Sequence, residues 1–211
     1  GGYVNSRMHA TSRKGSLHTR WQIDGEVIDL TNVHLLHDSC NLESASQKPS
    51  IYAKERSAML KRVTEEAGLT NTGFALVFGD FNFRLDLGDV AAANSMDLQV
   101  TGASSVNAYI GSDYWEQLRP FDRELSRFNA EQAHSGGVCL LECGCRDESS
   151  IPSQTRWPPT YPLVGGTKTD DPLPRAASWD CTKEAVDQNG IEIPTYSSKR
   201  APAWCDRVLG T

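Results

Sequence analysis

The feature of this sequence that most constrains its fold is an uninterrupted apolar run at residues 74–78, Phe-Ala-Leu-Val-Phe, which Gly79 closes. Such a run predicts a β-strand that is buried on both faces. Asp80 and Asn82 follow at once, so they lie at the C-terminal end of the strand, where α/β proteins usually present their chemistry. The run therefore predicts an α/β fold with a candidate site at this strand end.

The spacing of Asp80 and Asn82 suggests how that site is built. In an extended chain, residues two apart point the same way, so these two side chains converge while Phe81 and Phe83 pack behind them. A carboxylate that only accepts hydrogen bonds and an amide that donates and accepts are suited to hold and activate a water molecule. The alternative is that both are ordinary turn residues after a strand.

Two further segments carry polar residues of the same kind. The hairpin signal Asp24-Gly25 precedes a predicted strand at residues 26–33, and His34 at its end can donate a hydrogen bond to a phosphate oxygen. Residues 202–207, Pro-Ala-Trp-Cys-Asp-Arg, place a carboxylate beside a cation. A structural histidine is the simpler interpretation of His34 alone. Together, however, the segments suit metal-assisted attack of water on a phosphate.

In combination these motifs resemble those of the inositol polyphosphate 5-phosphatases, which are members of the deoxyribonuclease-I-like (endonuclease/exonuclease/phosphatase) superfamily. Residues 78–84 and 202–209 match the two signature motifs of that family, and residues 32–35 match its histidine motif. Residues 157–161, Trp-Pro-Pro-Thr-Tyr, match its substrate loop. The resemblance extends from about Lys14 to Leu209.

The resemblance implies a partial deoxyribonuclease-I-like four-layer α/β sandwich, in which helices flank two mostly antiparallel sheets. Residues 1–211 then form a partial catalytic domain, with loop-rich insertions at 133–155 and 164–198. The metal-binding Glu and the Asp-His motif of the family are not found in the sequence, nor are its N- and C-terminal strands. We therefore expect the chain to be a fragment of a longer protein and to be inactive in isolation.

The implied function is that of a Mg²⁺-dependent phosphomonoester hydrolase. The resemblance is to the type I branch, because Pro162 stands where most members have Lys. That branch removes the 5-phosphate from soluble inositol 1,4,5-trisphosphate and 1,3,4,5-tetrakisphosphate, in phosphatidylinositol dephosphorylation and calcium-signal termination. The alternatives are a phosphoinositide-lipid 5-phosphatase, a nuclease of the superfamily and a non-catalytic fragment.

The resemblance also implies roles for individual residues. Asp80 and Asn82 would orient the attacking water, His34 would donate to the phosphate, and Asp206 would tune the catalytic His or the hydrated metal ion. We expect Arg84 to brace the neighbouring carboxylates. The main metal ligand is expected upstream, and no residue of this chain is assigned as one. The residues predicted to bind substrate are Tyr161, Lys199, Arg200, Arg207 and Lys14.

The net charge limits the classes of partner that the protein can bind, and the cysteine content indicates its cellular compartment. The net charge of −6 argues against a nucleic-acid-binding surface, so an anion site must be a local basic pocket such as Lys199-Arg200. The six cysteines are interpreted as free thiols in a reducing cytosol. The predicted location is cytoplasmic. The inner face of the plasma membrane is the alternative, since type I relatives carry a C-terminal lipid anchor.

Two helices are predicted between the motifs. Pro49 opens the first and Gly68 ends it, and a second helical zone spans about residues 112–130. Core positions of the first helix are predicted at Ile51, Ala58, Met59, Val63 and Ala67. The charged residues Asp122, Arg123, Glu124 and Arg127 are predicted to form the solvated face of the second helix. Cys205 has no adjacent base, so we predict a packing role for it.

Overall fold

The computed structural model describes residues 2–11, 14–38, 48–71, 73–93, 118–143, 160 and 203–211, the first of these ranges as backbone only. The described strands form one six-stranded sheet in the spatial order β1-β2-β3-β4-β6-β5. The strands are β1 (Gly2–Thr11), β2 (Lys14–Ile23), β3 (Glu26–His34), β4 (Phe74–Asp80), β5 (Leu141–Glu142) and β6 (Asp206–Gly210). The helices are α1 (Ile51–Ala67), α2 (Leu87–Ala93) and α3 (Glu124–Ser135), with a 3-10 turn at Arg119–Phe121.

The sheet is mixed. Strands β1, β2 and β3 form an antiparallel meander, and β4 then lies parallel to β3 after the crossover that contains α1. Strand β6 is antiparallel to β4, and β5 is antiparallel to β6 at the sheet edge. This arrangement confirms the predicted α/β class. The described residues contribute one sheet of the predicted two-sheet sandwich.

The turn between β2 and β3 lies where the sequence predicted it. Ile23 and Glu26 are cross-strand partners, which leaves Asp24 and Gly25 as a two-residue loop. Their φ angles are 52° and 90°. Positive φ at both central residues is the requirement of the type I′ turn, whose twist matches that of the strands. The Asp-Gly signal therefore fixes the register of this hairpin.

Strand β4 is buried on one face, not on both as the apolar run predicted. Ala75 and Val77 are buried, but Leu76 and Phe78 are only partly buried and Phe74 is 54% exposed. Alternate residues of a strand point to opposite faces. Among the described residues, helices cover only the face with Ala75 and Val77.

Helix α1 follows the prediction closely at its ends. The Ser50 side chain accepts a hydrogen bond from the Ala53 N–H at the N-terminus, and Gly68 adopts the left-handed conformation at the C-terminus with φ 63°. Val63 and Ala67 are buried as predicted. Ile51 and Ala58 are exposed, so their assignment to the core is wrong, because the buried stripe runs through Arg56 and Leu60.

The hydrophobic core lies between this face of the sheet and helices α1 and α3. Val33, Val77 and Leu209 come from three adjacent strands, and Leu60 and Phe128 come from the two helices. All five are at most 1% exposed. The opposite face of the sheet is consequently where polar side chains at the strand ends can reach solvent.

The second helical zone is divided. Pro120 lies in the 3-10 turn, and α3 begins only at Glu124; residues 112–117 lie outside the described residues. The loop-rich segment predicted from residue 133 starts later, because α3 continues to Ser135 and residues 141–142 form β5. Residues 144–155 and 164–198 lie outside the described residues. Within the described part of the chain, no helix combines the length and apolar character needed to cross a membrane.

Candidate active site

One end of the sheet carries a row of polar side chains on three neighbouring strands. His34 of β3 pairs with Asp80 of β4, and Asp80 pairs with Asp206 of β6. Directly paired residues point to the same face, and Val33, next to His34, points into the core. The three side chains therefore share the face away from α1 and α3, and we call them the polar row.

His34 lies between a cation and a carboxylate. The Lys14 Nζ atom is 2.5 Å from His34 Nε2, and an Asp80 carboxylate oxygen is 3.4 Å from the same nitrogen. A lysine ammonium has only donors, so Nε2 accepts from it and a neutral His34 carries its proton on Nδ1. The His34 and Asp80 side chains are 45% and 37% exposed. The His34 ring and the Lys14 ammonium group thus lie next to each other at a partly exposed position.

The chain turns sharply after Asp80 instead of continuing as an extended strand. Strand β4 ends at Asp80, and Asn82 has φ 53°, in the left-handed region. The Asn82 backbone N–H donates to the Asp80 carboxylate at 2.9 Å. The expectation that the two side chains converge as in a strand is therefore wrong. Phe81 and Phe83 do pack behind them, with ring centroids 5.2 Å apart.

The Asn82 side chain holds two loops together. Its Nδ2 donates to the Leu35 carbonyl at 3.0 Å, and its Oδ1 accepts from Arg84 Nη2 at 3.1 Å. The Leu35 N–H in turn donates to the Asp80 carbonyl at 2.9 Å. Asn82 is 5% exposed. In this geometry Asn82 fixes the position of Asp80, and Arg84 donates to the Asn82 amide oxygen.

Asp206 completes the polar row beside a residue of the predicted substrate loop. Its backbone N–H donates to Thr160 Oγ1 at 3.0 Å, and the Thr160 N–H donates to the Ala203 carbonyl at 3.1 Å. Desolvation raises the pKa of the Asp206 carboxyl, and repulsion from Asp80 adds to it, while Thr160 and Arg84 act in the opposite direction. Asp206 therefore holds its proton to higher pH than an ordinary aspartate.

Arg207 does not fit its predicted role as a substrate ligand. As the neighbour of Asp206 in β6 it points to the helix side of the sheet, where its side chain is 2% exposed. Its guanidinium contacts Asp122 at 2.6 Å and Glu142 at 3.4 Å and donates to the Trp204 carbonyl at 2.8 Å. These contacts make Arg207 a buried structural residue.

The charged segment that was predicted to be solvated is also largely buried. The side chains of Asp122 and Glu124 are 2% and 5% exposed, and each is paired with a buried arginine. Arg123 and Arg127 are partly exposed, at 42% and 30%. The prediction is thus wrong for the two carboxylates. Helical spacing alone could not reveal that Asp122 and Glu124 are buried, because the buried arginines with which they pair lie far away in sequence.

Cys205 has the predicted packing role. It is 1% exposed, and its Sγ lies 3.4 Å from the Phe83 carbonyl oxygen. Burial raises the pKa of its thiol to about 12, so the thiolate is not formed near neutral pH. Cys139 and Cys143 are free and partly buried. The described cysteines are thus thiols, and Cys205 joins the two signature motifs.

The remaining predicted ligands, Tyr161, Lys199 and Arg200, lie outside the described residues. The contacts of Thr160 and Glu124 with the candidate site were not predicted from the sequence. Thr160 stands inside the Trp-Pro-Pro-Thr-Tyr motif, so motif membership could have singled it out. Nothing in the local sequence marked Glu124, which contacts the first signature motif from a helix 40 residues further along the chain.

The donor chemistry of the polar row fits a hard divalent cation. Asp80 and Asp206 are neighbouring carboxylates on one face, and their mutual repulsion is what a cation would relieve. No group of three or more metal-ligating side chains occurs among the residues that the structure describes. Within that part of the chain, the two carboxylates can supply part of a coordination shell or contact its water molecules.

No family model matches the chain. Curated proteins do match. A probable type I inositol 1,4,5-trisphosphate 5-phosphatase of Caenorhabditis elegans is 28% identical over 93% of this chain and 54% of its own length. Human inositol polyphosphate-5-phosphatase A is 28% identical over 94% of this chain and 46% of its own length. The chain thus spans about half the length of the curated relatives it matches.

Solved structures with similar folds include proteins of different function. One is the inositol polyphosphate 5-phosphatase domain of a synaptojanin, in complex with inositol (1,4)-bisphosphate and a calcium ion, with 18% identity, a TM-score of 0.46, and coverage of 97% of this chain and 45% of that one. Another is a Cimex nitrophorin, with 13% identity, a TM-score of 0.48, and coverage of 98% and 52%. At such scores neither likeness bears on function.

The fold and the polar row define an α/β protein with polar, partly exposed side chains at one end of a mixed sheet. The chain is similar in sequence to curated inositol polyphosphate 5-phosphatases over more than nine-tenths of its length, which supports the resemblance seen in its motifs.

Proposed function

We propose that this chain contributes part of the active site of a Mg²⁺-dependent phosphomonoesterase that removes the 5-phosphate from inositol 1,4,5-trisphosphate and 1,3,4,5-tetrakisphosphate. The observation that carries the proposal is the polar row, in which His34, Asp80 and Asp206 lie on three adjacent strands and face solvent together. The names of the curated relatives supply the substrate class.

His34, at one end of the polar row, and its neighbour Lys14 bind the phosphate. The Lys14 Nζ atom lies 2.5 Å from His34 Nε2. The Nδ1–H of a neutral His34 is a donor for a phosphate oxygen. The positive charge of Lys14 attracts the phosphate dianion and stabilises the charge on its oxygens. Both groups belong to the ends of paired strands, so they are held in position before the substrate arrives.

The carboxylate end of the row acts on the attacking water. Asp80 accepts a hydrogen bond from the water and aligns it with phosphorus, while Asn82 keeps the Asp80 carboxylate in place through its backbone N–H. The new P–O bond forms as the bond to the inositol 5-oxygen breaks. Asp80 takes the proton that the attacking water loses, and the leaving oxygen takes a proton from solvent. Asp206 lies beside Asp80 at this end of the row.

Bound Mg²⁺ would supply charge neutralisation on the phosphate oxygens and at the leaving oxygen. Asp80 and Asp206 are the residues of the described chain that fit its shell. We further propose that Tyr161, Lys199 and Arg200 bind the neighbouring phosphate, that the substrate is soluble, and that the protein acts in the cytoplasm to end inositol phosphate and calcium signals.

The test measures inorganic phosphate release by the full-length protein with Mg²⁺ and with EDTA. The substrates are the trisphosphate, the tetrakisphosphate and vesicles containing phosphatidylinositol 4,5-bisphosphate, and plasmid nicking is measured in parallel. We expect Mg²⁺-dependent release from the two soluble substrates. We also expect His34→Gln to lower kcat by about 100-fold, within the usual range for an acid–base or donor group.

The matched control is His134→Gln, because His134 is exposed on α3 and its Nδ1 donates to the Ala130 carbonyl of the same helix at 2.6 Å. We expect it to behave as the wild type. Release from vesicles alone would favour a lipid phosphatase, and nicking alone would favour a nuclease. An absence of every activity would favour a non-catalytic protein. Each of these three outcomes contradicts the proposal.

A further inference from the structure

A three-residue segment connects both signature motifs to the helical layer. Residues 122–124, which we call the anchor segment, link the 3-10 turn to α3. We call residues 81–86 the first loop and residues 203–206 the second loop. The first loop follows Asp80, and the second loop ends with Asp206. The anchor segment contacts the first loop through Glu124. Through Asp122 it contacts the side chain of Arg207, the residue that follows the second loop.

Glu124 holds the first loop. Its Oε1 accepts a hydrogen bond from the Arg84 backbone N–H at 2.9 Å. Both of its oxygens also accept from Arg56 of α1, at 2.8 and 2.6 Å. Arg56 is fully buried, donates to the Leu36 carbonyl at 3.2 Å and pairs with Asp38, so it reaches the segment that follows His34. One carboxylate thus ties the ends of β3 and β4 to two helices.

Asp122, two residues earlier, holds the second loop. Both of its oxygens accept from Arg207 Nη2 at 2.6 Å, and one also accepts from Arg119 at 2.6 Å. Arg207 follows Asp206 directly and donates through Nε to the Trp204 carbonyl at 2.8 Å. Its guanidinium carbon lies 5.0 Å from the Phe83 ring centroid, in the first loop. Asp122 therefore fixes an arginine that touches both loops.

The two loops meet each other at Cys205. The Phe81 N–H donates to the Cys205 carbonyl at 2.7 Å, and Cys205 Sγ lies 3.4 Å from the Phe83 carbonyl oxygen. This interface lies behind the polar row, on the side that carries the buried aromatic rings. Any relative shift of the loops would change the separation of Asp80 and Asp206, and it would also open the packing around the Cys205 thiol.

We propose that Asp122 and Glu124 are positioning residues that hold the two loops against the helical layer and so keep β4 and β6 in the pairing that brings Asp80 and Asp206 together. The kinetic part of this inference rests on the proposed function, and the structural part does not. Removing one partner of a buried ion pair leaves an uncompensated charge or an unfilled hydrogen bond, which the loops relieve by moving.

The test compares Glu124→Gln, Asp122→Asn and the double variant in the full-length protein. The control is Glu66→Gln, which removes the charge from an ion pair with Arg62 on the solvent side of α1. The first measurement is the rate at which N-ethylmaleimide alkylates Cys205 under native conditions, with the modified peptide identified by mass spectrometry. The second is amide exchange in the two loops and in β2 and β3. The third is kcat and KM for phosphate release from the trisphosphate.

We expect each single variant to alkylate at Cys205 at least about tenfold faster than the wild type, because local opening becomes easier while β2 and β3 keep their protection. In the double variant, the increase in the alkylation rate of Cys205 should be smaller than the product of the two single-variant increases, since both residues act on one interface. We expect kcat to fall about tenfold or more with KM changed by less than about threefold. The control should match the wild type in all three measurements.

An unchanged alkylation rate of Cys205 in both single variants would overturn the proposal. A rate increase in the double variant equal to the product of the two single-variant increases would also overturn it. Faster exchange throughout the sheet would also overturn it, because that pattern means general destabilisation and not loop placement. If Glu124→Gln does not fold, Asp122→Asn and Glu124→Asp decide the matter by the same measurements. If the wild type releases no phosphate, the proposed function fails, while the alkylation and exchange results still test the anchor segment.

Discussion

The two faces of the sheet, at the end where β3, β4 and β6 meet, use the same kinds of residue for different purposes. On the outer face the partly exposed His34 side chain contacts Lys14 at 2.5 Å and Asp80 at 3.4 Å. On the helix face Arg56 and Arg207 also pair with carboxylates, but these arginine side chains are 0% and 2% exposed.

The difference shows that residue type alone does not identify a functional charge. A buried arginine whose guanidinium already has two carboxylate partners has no capacity left for a substrate. A partly exposed histidine and carboxylate can exchange protein contacts for a ligand. Asp206 and Arg207 make the point most directly, because adjacent residues of one strand fall on opposite faces and take opposite roles.

The largest expected effect is on the outer face. We expect Asp80→Asn to lower kcat by about 10²–10⁴-fold, because the amide cannot accept the proton of the attacking water. The thermal midpoint should change little, since Asp80 is partly exposed and an asparagine oxygen can still accept from the Asn82 N–H. Steady-state kinetics and a thermal melt of the full-length protein measure both.

The control for that variant is Asp24→Asn, the same chemical change in the exposed hairpin turn, where φ is 52° and asparagine is well tolerated. It should have wild-type kinetics. Wild-type turnover by Asp80→Asn would remove Asp80 from the mechanism.

On the helix face, the expected effect is on stability. Arg56→Met leaves the carboxylates of Asp38 and Glu124 buried without their cation, so we expect a loss of about 3–5 kcal/mol in the free energy of unfolding. Chemical denaturation measures it. Arg62→Met on the same helix removes an exposed arginine and should leave the denaturation midpoint unchanged. Equal midpoints for the two variants would contradict the distinction between the faces.

A third prediction concerns the close approach of β3 and β4 just before the polar row. Gly79 has φ 124°, and a Cβ added there would collide with the Val33 carbonyl oxygen. We expect Gly79→Ala to cost about 2–4 kcal/mol and to lower kcat by displacing Asp80, because both strain and clash must be relieved by moving the strands. Gly73→Ala, whose Cβ would meet only ordinary contact with Thr70, is the control. Normal stability in both variants would refute the role of Gly79.

The smallest effect concerns Asp206. Its raised pKa means that the folded state binds the proton more tightly than the unfolded state, so ionisation works against folding above the ordinary aspartate pKa. We expect Asp206→Asn to be more stable than the wild type at pH 7 by about 0.5 kcal/mol, a small value because the carboxyl is partly exposed. The difference should shrink as the pH falls towards that ordinary pKa. Denaturation at pH 4 and pH 7 checks the sign, and a destabilised variant at pH 7 would contradict it.

The sequence predicted local features well. The Asp24-Gly25 hairpin and the ends of α1 near Pro49 and Gly68 followed from turn chemistry and from the preference of proline and glycine for helix ends. These features depend on residues close together in the chain, whose geometry is set by local conformational preferences.

Long-range contacts could not be predicted in this way. The Asn82 side chain donates to the Leu35 carbonyl, 47 residues away, and Glu124 is buried against Arg56, 68 residues away. Neither Leu35 nor Arg56 can be identified as a partner from the local sequence pattern. Arg207 is an exception. Because side chains alternate along a strand, a solvent-facing Asp206 already predicts that Arg207 points to the helix side of the sheet.

The most direct test of the polar row is the imidazole ¹⁵N spectrum of the full-length protein as inositol 1,4,5-trisphosphate is added in EDTA. We expect His34 to be the Nδ1–H tautomer, and we expect its ¹⁵N signals to shift when the ligand binds. His18, which is buried on the helix face against Asp29 at 2.7 Å, should not shift. An unmoved His34 at saturating ligand, or a larger shift of His18, would contradict the assignment of the active site to the outer face.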